Sequence, residues 1–157
     1  HCYIPYEESM IDECLNLYSC WVNARKEKCS EDIYCSMLDE NRRVHETVLR
    51  YYKRLGLIGR VVTIDGNIKA YTFGFAVNRE MFCVLFEVAD LNIKGLATYI
   101  FRELCRDEAI CGYKFINGMD DFGMDNIRQI KMSFNPCALL PSYVVTKGPS
   151  PDEPASF

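Results

Sequence analysis

The chain has 157 residues, a length that fits one domain of roughly 100–200 residues. Hydrophobic residues make up 49% and charged residues 25%, which excludes a wholly disordered chain, a collagen-like repeat or a coiled coil. Eighteen basic against 22 acidic residues leave a net charge of −4, so composition gives no support to broad nucleic-acid binding.

Nine cysteines are the unusual count, at positions 2, 14, 20, 29, 35, 83, 105, 111 and 137. No pair has C-x-x-C spacing, and the only histidines are His1 and His45. Zinc sites need paired spacing, and disulfide scaffolds belong to small secreted chains. The expectation is therefore reduced thiols acting as small buried hydrophobes, with no metal. No apolar run approaches the roughly 20 residues that cross a bilayer. The longest, Met81–Phe86, has strand length. The expected location is the cytoplasm.

In chain order, residues 7–25 carry helical spacing, with Met10, Ile11, Cys14, Leu15, Tyr18, Trp21 and Val22 on one face. Residues 32–55 read as a longer helix, with Ile33, Met37, Leu38, Val44, Val48, Tyr52 and Leu55 inward and Gly56 as its C-terminal cap. The period then becomes two. Ile58–Asp65 and Asn67–Val77 are strands joined at Asp65-Gly66, a tight-hairpin signal. Asn78-Arg79-Glu80 turns into a third strand, Met81–Ala89, with Phe82, Val84, Phe86 and Val88 on one face and Met81, Cys83, Leu85 and Glu87 on the other. Gly95–Asp107 is a helix, Tyr113–Asn117 a short strand and Met124–Phe134 a short amphipathic helix. Leu139–Thr146 is read as a last strand interrupted by Pro141, and 148–157 as a disordered, proline-rich tail. The order α-α-β-β-β-α-β-α-β predicts an α/β fold, a mixed and largely antiparallel sheet flanked by helices, in one domain over 1–147.

Two segments carry candidate chemistry. At the junction Val84–Ala97 a strand ends, a loop follows and Gly95 opens a helix, whose first N–H groups form an anion site. An ordinary β–α turn is the plain alternative. Glu87 lies among apolar neighbours, where burial raises a carboxyl pKa into the range of a general base. The alternative is a structural carboxylate paired with Lys94, Lys114 or Arg128. In the second segment Asp120 and Asp121 precede a helix on which Arg128 and Lys131 share a face. Those two cations suit a phosphate or carboxylate, or Arg128 could pair with Asp121 and lock the loop. The pairs Arg42-Arg43 and Lys53-Arg54 read as a solvated helix face or the one basic strip suited to RNA.

The loop Asn92-Ile93-Lys94-Gly95-Leu96-Ala97 resembles the acyl-coenzyme-A loop of the Gcn5-related N-acetyltransferase (GNAT) superfamily, Arg/Gln-x-x-Gly-x-Gly/Ala, at Gly95 and Ala97 but not at Asn92. The order of elements is similar to that superfamily as well. The run from Phe115 to Pro136 resembles a motif of the phosphatidylglycerol lysyltransferase C-terminal-domain family. The matching residues are Ile116, Asn117, Asp121, Gly123, Arg128, Lys131, Ser133 and Pro136. Upstream, Phe86-Glu87-Val88-Ala89-Asp90 followed by Gly95 is similar to the same family, with Val88 in place of its usual lysine. The likeness spans about residues 57–146.

The resemblance implies a lobe of a duplicated acetyltransferase-like fold, with an N-terminal lobe as partner, and acyl- or aminoacyl-transfer. The donor would be acyl-coenzyme A or aminoacyl-tRNA, bringing tRNA as a partner, and the acceptor a small molecule or lipid headgroup. It implies Asp90, Asn92, Lys94, Gly95 and Ala97 around the donor, Asn117, Asp121, Arg128, Lys131 and Ser133 around substrate, Glu87 as base and Tyr143 as acid. A non-catalytic binding or structural lobe is the alternative.

Overall fold

The apolar positions of the first helix bury themselves at Cys14, Leu17, Tyr18 and Val22, the spacing that one helix face presents to a core. In the computed structural model, which describes residues 1–27, 32–121, 123–143 and 145, this helix is α1, Ile11–Lys26, led in by a 3-10 turn at Glu8–Met10. The chain divides into two compact units, the first His1–Met119 and the second beginning at Asp120.

The first unit is built on a five-stranded sheet in sequence order. Its strands are β1 (Cys2–Pro5), β2 (Ile58–Ile64), β3 (Asn67–Ala76), β4 (Met81–Ala89) and β5 (Phe115–Asn117). The first four pair antiparallel and β5 runs parallel to β4. Helix α2 (Asp32–Tyr51) joins α1 on one face, where Tyr18, Leu38, Val48, Leu49, Tyr71 and Phe73 share a core. Helix α3 (Leu96–Arg106) covers the other face through Leu96, Ile100 and Leu104.

Local chemistry explains the connections. Asp65 and Gly66 both have positive φ, 50° and 79°, as a two-residue primed turn needs. Beyond α2, Gly56 at φ 67° lets Leu57 N–H reach Tyr52 O at 2.8 Å and Gly56 N–H reach Lys53 O at 3.1 Å. That is the paired closure of a left-handed C-terminal cap. The Asn78 side-chain oxygen accepts from Glu80 and Met81 N–H and forms the turn into β4.

Four expectations change. β1 is a strand that the sequence reading did not include. The α2 face is rotated: Val44 and Leu55 are about half exposed, while His45 and Leu49 are buried. The imidazole lies between the Tyr18 and Phe86 rings, 4.1 and 4.0 Å from their centroids, and shares a 2.9 Å hydrogen bond with the Tyr71 hydroxyl. Thirdly, β4 does not alternate from end to end. Its register passes from Phe73↔Phe86 to Gly74↔Val84, leaving Leu85 as a bulge. One extra residue inverts the faces, so Phe82 and Val84 join the α3 side while Phe86 and Val88 join the α1–α2 side. Finally, only Cys14 and Cys83 are buried among the described cysteines; Cys105 is half-buried and Cys2, Cys20, Cys111 and Cys137 are exposed. Cys29 is outside the described residues and of Cys35 only the backbone is described.

In the second unit, α4 (Asp125–Ser133) forms as expected. The expected strand at 139–146 is absent over 139–143 and 145. Pro141 lacks a donor, and Leu139, Leu140 and Tyr143 are largely exposed, so nothing there imposes a ladder. The expected tail 148–157 lies outside the described residues.

One ion pair closes the first unit. Arg60 Nε and Nη2 donate to Asp107 Oδ2 and Oδ1 at 2.5 and 3.0 Å, and the Tyr3 hydroxyl donates to Oδ2 at 2.9 Å. Burial works to raise the Asp107 carboxyl; Arg60, the Ala109 N–H and Tyr3 outweigh it and hold the pKa below the usual range. Removing one partner strands a buried charge. Asp107→Ala should therefore lower the unfolding free energy by about 3 kcal/mol or more. Asp39→Ala, at the exposed Lys26–Asp39 pair, should cost less than about 1 kcal/mol in the same urea titration.

Burial also lowers the His45 pKa from 6.5 to about 3. The folded state then binds fewer protons than the unfolded state between those values, so stability should fall as pH drops from about 6.5 towards 3. His45→Phe should flatten that slope in melts taken across the range.

Candidate functional site

Because β5 pairs with β4 only at Met81–Cys83, β4 has β3 on one side from Val84 to Ala89 and, among the described residues, no strand on the other. Unpaired backbone donors and acceptors along a strand edge hydrogen-bond to water or to an extended ligand. Glu87 sits in this stretch. It is opposite Thr72 of β3, and the bulge turns it towards α3, where it acts electrostatically on the Cys105 thiol. It is half-buried, and no hydrogen bond or ion pair reaches its carboxylate among the described residues. The pairing with Lys94 or Lys114 considered for it is not formed. Burial without a counter-charge pushes its pKa up to about 8. Burial, then Glu87, raises the Cys105 thiol as well.

The strand runs out into the loop 90–95. Asp90 shapes it: its carboxylate accepts from Lys69 Nζ at 3.0 Å, Asn92 N–H at 3.0 Å and Asn92 Nδ2 at 3.1 Å. The Asn92 N–H, and after it Lys69, holds the Asp90 pKa below its ordinary value. So Asp90 and Asn92 bond chiefly to each other, and Asn92 keeps the loop folded. Gly95 closes the loop at φ 82°, with open space where a Cβ would point. Leu96 N–H is taken by Ile93 O. The N–H groups of Lys94, Gly95, Ala97 and Thr98 have no partner among the described residues. Four orphan donors at a helix start have a geometry that suits an anion. Lys94 is exposed and in no ion pair there.

Asn117 ends β5. Its oxygen accepts from Met119 N–H at 2.8 Å, so it forms a turn. The remaining candidates belong to the second unit. Asp121 Oδ1 accepts from Gly123 N–H at 3.0 Å, and Oδ2 is 4.0 Å from Arg128 Nε. Lys131 Nζ donates to Asp120 O, and Ser133 Oγ to Ile130 O at 2.6 Å. Arg128 and Lys131 thus reach back to the loop that precedes their helix. Tyr143 is 82% exposed. The structure brings Glu87, Asp90, Asn92, Lys94, Gly95 and Ala97 onto one strand, its following loop and the first turn of α3. Sequence reasoning missed the unpaired edge of β4; the shortness of the Tyr113–Asn117 run was its only signal.

The fold is similar to that of GNAT acetyltransferases. A ribosomal-protein-alanine N-acetyltransferase from Brucella melitensis biovar Abortus superposes with a TM-score of 0.65 at 12% identity, over 94% of this chain and 100% of its own. An N-acetyltransferase from Thermoplasma acidophilum, solved in complex with coenzyme A, gives 0.52 at 8% identity, over 67% and 69%. At such identities the likeness is one of fold.

The chain belongs to the phosphatidylglycerol lysyltransferase C-terminal family, whose model matches residues 2–146. A conserved protein of unknown function from Bacteroides thetaiotaomicron is 31% identical, with a TM-score of 0.75, over 88% of this chain and 45% of that one. The chain thus spans less than half the length of that relative. No curated protein matches it. Among the described residues, no helix is long and apolar enough to cross a membrane.

A titration of Glu87 checks the site electrostatics. A carboxyl carbon resonance should titrate with a midpoint near pH 8, and a midpoint between 4 and 5 would reject the buried, uncompensated environment. The folded state holds a proton that the unfolded chain releases above about 4.5. Stability from this group should therefore fall as pH rises from 4.5 through 8.

Proposed function

We propose that the chain is an acyl- or aminoacyl-transfer domain in which Glu87 is the general base. The observation that supports this best is a half-buried carboxyl, uncompensated among the described residues and with a pKa of about 8, on the stretch of β4 where no described strand pairs with the second edge. An acyl donor of extended shape lies along that edge, bonded to strand backbone, with its anionic portion at the N–H groups of Lys94, Gly95, Ala97 and Thr98. Acyl-coenzyme A and aminoacyl-tRNA both have this form. The coenzyme A complex of the Thermoplasma acidophilum enzyme supports the first, and family membership supports the second. Asp90 and Asn92 hold the loop in shape.

The step is direct transfer. The lone pair of an acceptor amine or hydroxyl attacks the acyl carbon, and Glu87 takes the proton that the acceptor loses. A backbone N–H of the open stretch bonds the carbonyl oxygen as it gains charge. The tetrahedral species then expels the thiolate of coenzyme A or the ribose oxygen of tRNA, which takes up a proton from solvent. Arg128 and Lys131, with Asp121, Ser133 and Asn117 shaping their surroundings, are the candidates for an anionic group on a substrate such as a lipid headgroup.

Glu87→Gln should remove most turnover while leaving the melting temperature near that of the parent, and turnover in the parent should rise with pH through about 8, because only the carboxylate accepts a proton. A variant that keeps full turnover overturns the assignment. The donor is checked by thermal stabilisation: a true ligand at 100 times its Kd adds about 2.7 kcal/mol. If no acyl-coenzyme A or aminoacyl-tRNA shifts the melt, the chain is a binding or structural lobe.

A further inference from the structure

On the sheet face opposite Glu87 there is a second cleft, of about 320 Å³, between α1 and the loops at the start of β3 and the end of β4. Its size lies at the lower end of small-molecule sites. The polar groups are Glu13 and Asn16 from α1, Asn67 and Lys69 from β3, and Asp90 and Asn92. Trp21 and Leu17 form part of the apolar wall.

The charges there are not equivalent. Lys69 and Asp90 neutralise each other, and both oxygens of Asp90 already accept hydrogen bonds. Glu13 is different. Its Oε1 accepts the Ile68 N–H at 2.5 Å, which fixes the carboxylate in place, while Oε2 has no partner among the described residues. The cleft therefore keeps one uncompensated negative charge, on an oxygen held by backbone. Around it Asn16 and Asn92 offer further side-chain oxygens, and Leu17, Trp21 and Leu91 offer apolar contact. Arg25 lies 5.0 Å from the Trp21 ring centroid but does not line the cleft.

We propose that this cleft binds a small aliphatic amine, with the ammonium on Glu13 Oε2 and the asparagine oxygens and the alkyl arm against Leu17, Trp21 and Leu91. Charge-assisted hydrogen bonds to a fixed carboxylate are the stronger kind, and a partly apolar wall favours an alkyl stem over a hydrated inorganic cation. The cleft does not include Glu87, which faces α3, although it shares Asp90 and Asn92 of the loop with the proposed donor site.

Trp21 is the only tryptophan of the chain, so intrinsic fluorescence reads this cleft directly. The test titrates the intact protein with cadaverine, sorbitol and inorganic phosphate. Cadaverine should give a saturable change that weakens as salt is raised. Glu13→Gln keeps an acceptor for Ile68 N–H and removes the charge; its apparent Kd for cadaverine should rise at least about tenfold, the effect of one lost charge-assisted bond. Ala24→Arg, which plants a cation in the lining, should abolish the response. Asp12→Asn, outside the lining, should leave it unchanged. The proposal fails if cadaverine gives no saturable change, if sorbitol or phosphate binds as well, or if Glu13→Gln and Ala24→Arg both bind like the parent.

Discussion

The unequal pairing of β4 is the constraint from which the candidate site follows. A strand inside a sheet satisfies its backbone on both edges, and β4 does so only over Met81–Cys83. Beyond that point one edge has no strand among the described residues, and the polar backbone along it needs water or a ligand. The Leu85 bulge falls where the second partner is lost and rotates the remaining strand by one side-chain position. Without that extra residue Glu87 would face α1 and α2, against Tyr71 and Phe73. With it the carboxyl faces α3, half-buried and without a counter-charge.

The second requirement is that α3 hold still. Its apolar stripe, Leu96, Ile100 and Leu104, anchors it to the sheet, but a stripe alone permits sliding. The Arg60–Asp107–Tyr3 cluster removes that freedom, because Asp107 directly follows the helix and its partners come from β2 and β1. Planar two-point contact between guanidinium and carboxylate sets direction as well as distance. Pinning the C-terminal end also fixes the N-terminal end, where the orphan N–H groups lie. The sheet edge and the helix start are thus kept in register by an ion pair that sits at the other end of α3.

Much of this is legible in the sequence, for identifiable reasons. The hairpin at Asp65-Gly66, the cap at Gly56 and the stripe of α3 rest on local chemistry, and they form where local chemistry places them. Apart from the strand expected at 139–146, absent over 139–143 and 145, the failures involve distant partners. β1 is four residues long with no alternation to reveal it; it exists because Val61 and Val62 offer an edge. The side of α2 that faces inward is decided by Tyr18, Tyr71 and Phe86, whose rings make His45 a better core residue than Val44. The β4 bulge is invisible because an uninterrupted apolar run reads identically with or without one. For the site, Glu87 and the 90–97 loop were legible as residue types. Their roles depend on an absence of pairing that no residue type encodes.

β1 has one more consequence, for the order in which the fold can be made. It precedes α1 and α2 in the chain, and its partner β2 follows only after both have been synthesised. Closing so long a segment is entropically costly, and such pairings form late. During synthesis, Tyr3 and Ile4 therefore lack their β2 partners until Val61 and Val62 emerge. In that interval Asp107 is also missing, and with it the carboxylate to which Tyr3 and Arg60 bind. β1 is thus paired only after two helices have been made, and its brevity and the Pro5 at its end limit its capacity to pair with another nascent chain.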